Sequence, residues 1–309
     1  MAANGLTVPR VALGCGNFGG VGSAPEFFGA GANQAQAFAL MDAAWELGIT
    51  HFDTADAYGG GRSEQMIGAW MRDRGVRPLL TTKTFNPTFE GDDHGLAPDR
   101  IVRQFDSSLE RLEVDHVDLY LAHDFDPDVP LNETFAAFED LLAERRISAY
   151  GVSNFDATQL EDALAAGVPQ AVQNSHSLLD RGDEDSVLPL CASQAIAYIA
   201  FGPLAGGWLT GKYRRGEPFP TGSGKTQRPD PYNHLVNDRT FAALERLQAV
   251  AAQRGGSMPS VALAWLLADE RVTQVVTGPG RPEHLTPIRE ALEHPLSDDE
   301  RAALDPVFS

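Results

Sequence analysis

The stretch Phe52-Asp53-Thr54-Ala55-Asp56-Ala57-Tyr58-Gly59-Gly60-Gly61 ends an apolar run on an aspartate and places a tyrosine five residues later, beside three glycines. Further on, Leu79–Lys83 ends on a lysine, Val117–His123 on a histidine, Ala149–Ser153 on Ser153-Asn154, and Ala171–Gln173 on Gln173-Asn174. Five successive apolar runs therefore finish on polar or charged groups. Read singly, Asp53 caps a turn, Lys83 snorkels into water and His123 is a structural histidine. Read together, five such endings in register are hard to explain as coincidence. A tyrosine hydroxyl titrates near pH ~10, and a cationic neighbour lowers that by roughly 1–3 units. Asp53 would neutralise Lys83 and hold it in place. His123 could donate a hydrogen bond to a carbonyl oxygen. Asp53, Tyr58, Lys83 and His123 thus suit proton transfer to an oxygen that becomes an alkoxide. They supply no electrons, so a reduction needs a hydride donor such as a nicotinamide.

The elements that must position these groups alternate. Apolar β-branched runs at Thr50–Asp53, Leu79–Lys83, Val117–His123, Ala149–Ser153, Ala171–Gln173, Ala197–Phe201 and Val275–Gly278 are separated by stretches of helical periodicity, among them Gln34–Leu47, Asp99–Leu112 and Leu131–Glu144. Repeated strand–helix units mean parallel strands with covering helices. Val11–Leu13 is either the first barrel strand or part of a hairpin sealing the bottom. In the second case the first barrel strand lies near Cys15–Phe18. In a (β/α)8 barrel all strand C-termini converge on one mouth, which would gather the polar ends into one pocket. The reading is an α/β fold, a (β/α)8 TIM barrel of one domain over residues 1–309. Gly211–Asn237, rich in Gly, Pro and Arg, is a long irregular stretch of the kind that is functional or mobile.

Composition excludes several classes. Hydrophobic residues make up 43% of the 309, enough for a sizeable core. The net charge of −19 repels phosphate backbones, which disfavours nucleic-acid binding. No run of about eighteen apolar residues suggests a membrane span. The start lacks the features of a signal peptide. Cys15 and Cys191 without a CxxC or a His/Cys cluster argue against a disulfide framework or a structural zinc, and no metal is expected. The expected location is cytoplasmic.

Two motifs mislead. Gly14-Cys15-Gly16-Asn17-Phe18-Gly19 fits a GxGxxG dinucleotide fingerprint, but Gly20-Val21-Gly22-Ser23-Ala24-Pro25 follows where a helix should open. Gly222-Ser223-Gly224-Lys225-Thr226 imitates the end of a phosphate-binding loop, but only Gly216-Glu217-Pro218-Phe219-Pro220 precedes it, not a strand.

With these residues assembled, the sequence resembles the aldo-keto reductases over nearly its whole length. The matching motifs are Phe52-Asp53-Thr54-Ala55 through Tyr58-Gly59 and Ser63-Glu64, Thr82-Lys83, Val117–His123, Gly151-Val152-Ser153-Asn154-Phe155, Gln173 with Ser177-Leu178-Leu179, and Pro203–Lys212, all in order. The resemblance implies a TIM barrel, a nicotinamide cofactor (NADPH, with NADH possible), a small carbonyl or alcohol substrate and a monomer. It implies a tetrad of Asp53, Tyr58, Lys83 and His123, with Tyr58 as general acid and its pKa lowered by Lys83. It implies a carboxamide site at Ser153, Asn154 and Gln173. Phe201 would stack on the nicotinamide, where the family often has tyrosine. Backbone donors from Gly202 through Leu204, Gly206 and Gly207, with Lys212, would wrap the pyrophosphate.

After the last strand the sequence departs from the family. Gly278-Pro279-Gly280-Arg281 carries its arginine one place late, and Pro287-Ile288 replaces a Glu-Asn pair near the adenine. Gly278, Arg281 and His284 either meet the adenosine end, a 2′-phosphate included, or form a solvated helix start. His176 stands where relatives carry tyrosine. Phe27, Phe28, Phe85, Phe89, Phe125 and Trp208 are candidates for an apolar substrate wall, with Arg228 and Tyr232 as polar contacts. Two other readings compete with the reductase. One is a cofactor-binding module with little turnover. The other is a metal-dependent barrel hydrolase, for which the chain lacks a His/carboxylate cluster.

Overall fold

The computed structural model describes residues 2–3, 6–89, 91–227 and 230–308. Eight parallel strands close into a barrel: β1 (Val11–Gly14), β2 (His51–Asp53), β3 (Leu79–Thr84), β4 (Val117–Ala122), β5 (Ile147–Ser153), β6 (Ala171–Ser175), β7 (Ala197–Phe201) and β8 (Val272–Thr277). The ring shuts where Val275 of β8 pairs with Val11 of β1. Val11–Gly14 is therefore a barrel strand. The hairpin is a separate pair, Ala2–Ala3 against Leu6–Thr7, and Cys15–Phe18 is turn, not strand.

Strand limits move by a few residues. β6 continues past Gln173 because Asn174 and Ser175 stay in the ladder opposite Ala200 and Phe201, and their polarity hid that extension. β5 starts two residues earlier, at Ile147. His123 and Gly278 each fall just beyond their strands.

The barrel interior is small and aliphatic. Ala12, Leu119, Leu121, Ala149, Ala171, Ala197, Ile199 and Val276 fill it, with Leu6 and Val8 among them and Phe201 packed against the set. A filled lumen leaves no pore and sends function to the mouth. The larger core lies between strands and helices, where Phe105, Tyr120, Phe138 and Tyr150 stack on one another.

The covering helices start where local chemistry allows. Asn33 and Gln36 satisfy each other's backbone N–H groups at the head of Gln34–Glu46, and Asp156 and Gln159 do the same for Ala157–Ala166. Arg62–Arg74 begins after Gly59-Gly60-Gly61, all three at positive φ. A Cβ at Gly59 would lie 2.6 Å from the Phe18 carbonyl oxygen, so the run after Tyr58 must be glycine to turn back against the β1 loop. Met258–Ala268 is buried almost all round, between the barrel and the helices Asp238–Arg254 and Asp298–Phe308.

Both misleading motifs fail as structure. Turns and a short 3-10 segment at Pro25–Phe27 follow the first, and no helix opens until Gln34. The second leads into Gly224–Gln227 with no strand before it. The stretch from 211 to 237 is less irregular than expected, since it also carries a 3-10 turn at Asp230–Leu235. Arg228 lies outside the described residues.

Candidate functional site

Each member of the expected tetrad sits at or just past a strand end, so parallel strands deliver them to one mouth. Asp53 closes β2, and Lys83 is the penultimate residue of β3. Tyr58 follows in a turn whose backbone closes from Tyr58 N–H to the Ala55 carbonyl at 3.2 Å. His123 is held from both sides. Its N–H donates to the Thr84 carbonyl at 2.9 Å, and its own carbonyl accepts from Asn154 Nδ2 at 2.8 Å.

The four side chains meet. Lys83 Nζ donates to Asp53 Oδ1 at 2.6 Å and to the Thr54 carbonyl at 2.8 Å, fully out of solvent. The same ammonium lies 5.1 Å from the centre of the Tyr58 ring. Tyr58 OH is 3.3 Å from His123 Nε2, with the two rings edge to face.

The electrostatics partly correct the sequence expectation. Burial pushes the Tyr58 phenol up, and this outweighs the lowering by Lys83. The pull of the cation is present, but the net direction is upward, so Tyr58 holds its proton at neutral pH. Burial acts against the Lys83 charge too, yet Asp53 and Tyr58 more than restore it, and its pKa is raised. His123 is pulled down to about 3, by burial and then by Lys83. It is partly exposed on the floor of the mouth but closely packed, and it is neutral at physiological pH.

The expected carboxamide residues surround this group and make hydrogen bonds of their own. Gln173 Nε2 donates to Asp53 Oδ2 at 2.7 Å, so its amide hydrogen supports the ion pair and its carbonyl oxygen is the atom left to face a ligand. Asn154 sits at φ +61° and gives Nδ2 to the His123 carbonyl and to Ser153 Oγ. Phe201 is half-buried at the end of β7, above the barrel interior.

The segment after β7 has the shape of a cradle. Gly202, Gly206 and Gly207 all have positive φ, and a Cβ at Gly207 would run into Lys212 Nζ. Lys212 folds back over the turn, with Nζ 5.1 Å from the Tyr213 ring. Leu204 is half-buried at the start of the turn. Across from it, Arg281 Nε lies 3.0 Å from His284 Nε2, and the Gly280 N–H donates to His284 Nδ1 at 3.3 Å. The His284 pKa is lowered by burial, then by the Arg281 charge, against Glu283, with a further lowering by Lys212, so the imidazole is neutral. The glycine at 278 ends against Gly14, 3.6 Å from the Gly14 carbonyl to the position of a Cβ. An elongated anion with a ring at one end fits this layout. The glycines allow close backbone approach to phosphates, Arg281 and Lys212 face their charge, and the phenol and imidazole stand at the other end.

One other expectation falls away. Trp208 is fully buried among Tyr213, Phe219 and Phe241 and belongs to the core, not to a substrate wall. Phe125 packs on Phe155 and Phe85 on His94, while Phe89 is 55% exposed. Tyr232 lies against Gly206. His176 has a packing role. It is buried between Tyr198 and Trp265, with Nδ1 on the Asp180 carbonyl.

Two layers went unread in the sequence. Asp56, buried beside the tetrad, accepts from Thr84 Oγ1 at 2.7 Å, and burial pushes its pKa to about 7. Asn86, three residues past Lys83, reaches the far edge of the His123 ring, Nδ2 to Nδ1 at 3.4 Å. The second acid in Asp53-Thr54-Ala55-Asp56 and an amide just after a strand end were the available signals. Among the described residues no group of three or more His, Cys, Asp or Glu side chains could hold a metal ion, and no helix is long and apolar enough to cross a membrane.

Fold and site first define a class: a (β/α)8 barrel with a phenol, a buried ion pair and a neutral imidazole at its C-terminal mouth. Residues 10–308 match the profile of the Aldo/keto reductase family. The chain is 31% identical to L-glyceraldehyde 3-phosphate reductase of Escherichia coli O157:H7, over 98% of this chain and 89% of that one. It is 28% identical to the NADH-specific methylglyoxal reductase of Escherichia coli K12, over 95% and 92%. The solved glycerol dehydrogenase of Gluconobacter oxydans superposes with a TM-score of 0.84 at 26% identity, over 99% and 93%. The chain belongs to the aldo/keto reductase family and is a nicotinamide-dependent oxidoreductase.

Proposed function

We infer that the protein reduces the carbonyl of a small aldehyde, ketone or keto sugar with hydride from NADPH, and that Tyr58 is the general acid. The whole chain, 1–309, serves as one barrel domain for this reaction. The observation that carries the reading is the contact chain Asp53–Lys83–Tyr58–His123, closed at 2.6 Å and 3.3 Å at its two measured hydrogen bonds. A nicotinamide, when bound, supplies the hydride, which adds to the carbonyl carbon. The chain's own residues manage the oxygen. Tyr58 gives its proton to the developing alkoxide, Lys83 stabilises the phenolate left behind, and Asp53 keeps that ammonium charged and fixed. His123, neutral, donates a hydrogen bond to the same oxygen and orients it. The reverse reaction, alcohol oxidation, uses the same groups with Tyr58 as base.

Gln173, Asn154 and Ser153 would hold the carboxamide, and Phe201 would face the ring. Gly202, Leu204, Gly206, Gly207 and Lys212 would take the pyrophosphate. Arg281, with the neutral His284 beside it and next to Gly278, favours a 2′-phosphate, since its guanidinium offers positive charge and paired N–H donors on a chain whose net charge is −19. A relative named as NADH-specific shows that the family accommodates the other cofactor, so this preference rests on Arg281. A cofactor-binding module without turnover would need no neutral imidazole beside a protonated phenol. The presence of both supports catalysis.

The test is Tyr58→Phe. It should lower kcat by roughly 10²–10⁴ and leave cofactor affinity near normal, because it removes the proton and little else. Cofactor affinity is read by nucleotide fluorescence and kcat by loss of nicotinamide absorbance on a panel of aldehydes. Full activity in this variant would overturn the assignment of Tyr58.

A further inference from the structure

The imidazole of His123 carries one proton, and the orientation of Tyr58 depends on which nitrogen holds it. Nε2 faces Tyr58 OH at 3.3 Å, and Nδ1 faces Asn86 Nδ2 at 3.4 Å. With hydrogen on Nε2 and no substrate bound, the imidazole donates towards the Tyr58 oxygen, while the Lys83 ammonium lies 5.1 Å from the Tyr58 ring; with substrate bound the same N–H serves the carbonyl oxygen. The phenol hydrogen then points away from the imidazole, into the mouth. With hydrogen on Nδ1, Nε2 is a bare acceptor, and the Tyr58 hydrogen is spent on it instead of on a substrate. One amide thus decides between a competent and an incompetent acid.

Asn86 is well placed to impose the first arrangement. Its backbone carbonyl accepts from Arg100 NH2 at 2.8 Å. Arg100 is 3% exposed and also donates to the Gly95 carbonyl and to Thr84 Oγ1, both at 2.9 Å. Thr84 Oγ1 in turn donates to Asp56 Oδ2 at 2.7 Å. The Thr84 carbonyl accepts the His123 backbone N–H at 2.9 Å. One buried guanidinium therefore anchors both the backbone behind the imidazole and the backbone carrying the amide. In the orientation seen here, with Nδ2 towards the ring, the amide N–H makes Nδ1 the bare nitrogen, which leaves the proton on Nε2.

We propose that Asn86 is a positioning residue that fixes the Nε2–H tautomer of His123 through an Nδ2–H···Nδ1 hydrogen bond and thereby turns the Tyr58 hydroxyl towards the substrate carbonyl. In this role Asn86 acts through His123. The proposal rests on the assignment of Tyr58 as general acid.

The first measurement needs no variant. Nitrogen-15 spectra of the histidine-labelled protein distinguish a protonated Nε2 from a protonated Nδ1. A protonated Nε2 on His123 is expected, and a protonated Nδ1 overturns the proposal even if Tyr58→Phe behaves as predicted. The second is Asn86→Asp, nearly isosteric, whose carboxylate accepts from Nδ1–H and so inverts the tautomer. Its kcat should fall about 10²-fold, with cofactor affinity unchanged and the His123 nitrogen signals exchanged. Asn86→Ala should give a smaller loss of kcat and mixed signals. If Asn86→Asp and Asn86→Ala both keep wild-type kcat, or if kcat falls while the His123 signals stay in place, the positioning role is wrong. A loss of activity in Tyr58→Phe with no effect at Asn86 leaves the general acid standing and removes only this inference.

Discussion

Lys83 Nζ and Asp53 Oδ1 are 2.6 Å apart with no solvent access to the ammonium, and Gln173 donates to the other oxygen of the same carboxylate at 2.7 Å. The pair links β2, β3 and β6 at the barrel mouth, so it is a structural joint as well as a charge source for Tyr58. Removing one partner strands the other. Lys83→Met should destabilise the fold by about 3–5 kcal/mol, because it leaves an uncompensated buried carboxylate. Lys83→Met combined with Asp53→Asn should recover much of that loss. Denaturant melts of the wild type, the single and the double variant decide it. If the double variant is no more stable than the single, the pair is not coupled as the geometry indicates.

Neither acid–base side chain titrates in the neutral range. Burial lifts Tyr58 above its ordinary value of 10.0, and His123 is held down to about 3. With Tyr58 as proton donor, kcat/KM for carbonyl reduction should stay level from about pH 5 to about pH 9 and fall only on the alkaline side, as the phenol ionises. A limb centred near pH 6–7 that persists in Asp56→Asn, where the neighbouring carboxyl of pKa about 7 is gone, would mean that a protonated His123 takes part, and would contradict its neutral form.

Asp56 gives stability a pH dependence of its own. Its carboxyl is raised from 3.8 to about 7, first by burial and then by the Glu64 charge, against lowering by Thr84, Arg100 and Arg111. The folded state therefore keeps this proton where the unfolded chain has already lost it. The contribution is fully present below about pH 4 and is lost as pH rises through about 7. Asp56→Asn cannot ionise, and its side-chain oxygen can still accept from Thr84. The difference in melting temperature between the variant and the wild type should move in the variant's favour as pH is raised from 5 to 8. A difference that stays constant over that range would show that Asp56 is not protonated in the fold.

The parts of this molecule that were legible in the sequence share one property: they repeat or lie close together along the chain. Parallel strands read as short apolar runs, and their polar last residues point to a common mouth. The ambiguity at Val11–Leu13 could not be settled locally, because closure depends on a partner strand more than 260 residues away. Trp208 reads as a candidate for an apolar substrate wall, but its neighbours Phe219 and Phe241, from segments no local pattern links to it, make it core. The upward shift of Tyr58 was missed because charge can be read from residue types while burial cannot. Asn86 and Asp56 were passed over for a related reason. Their importance lies in atoms 2.7–3.4 Å away on other strands and loops, and an isolated amide or second carboxylate carries no pattern.

The segment after the last strand departs from the family pattern, and the proposed preference between cofactors can be tested there. Arg281 is exposed and its Nε rests on His284 Nε2 at 3.0 Å, while His284 Nδ1 also receives the Gly280 N–H. A neutral imidazole cannot accept at both nitrogens, because one of them carries hydrogen. One of the two contacts is therefore not a hydrogen bond, and the exposed guanidinium has N–H groups beyond Nε to offer a phosphate. A 2′-phosphate would offer it two oxygens in a fork that matches its own N–H groups, a better partner than a single ring nitrogen. Arg281→Ala should accordingly weaken NADPH binding by roughly tenfold or more, as expected for a lost charge-assisted hydrogen bond of about 1.5–3 kcal/mol, and leave NADH binding unchanged. Fluorescence titration of wild type and variant with each nucleotide reads both numbers. Equal weakening for the two cofactors would place Arg281 on the shared pyrophosphate, and no change for either would make the residue part of a solvated helix start.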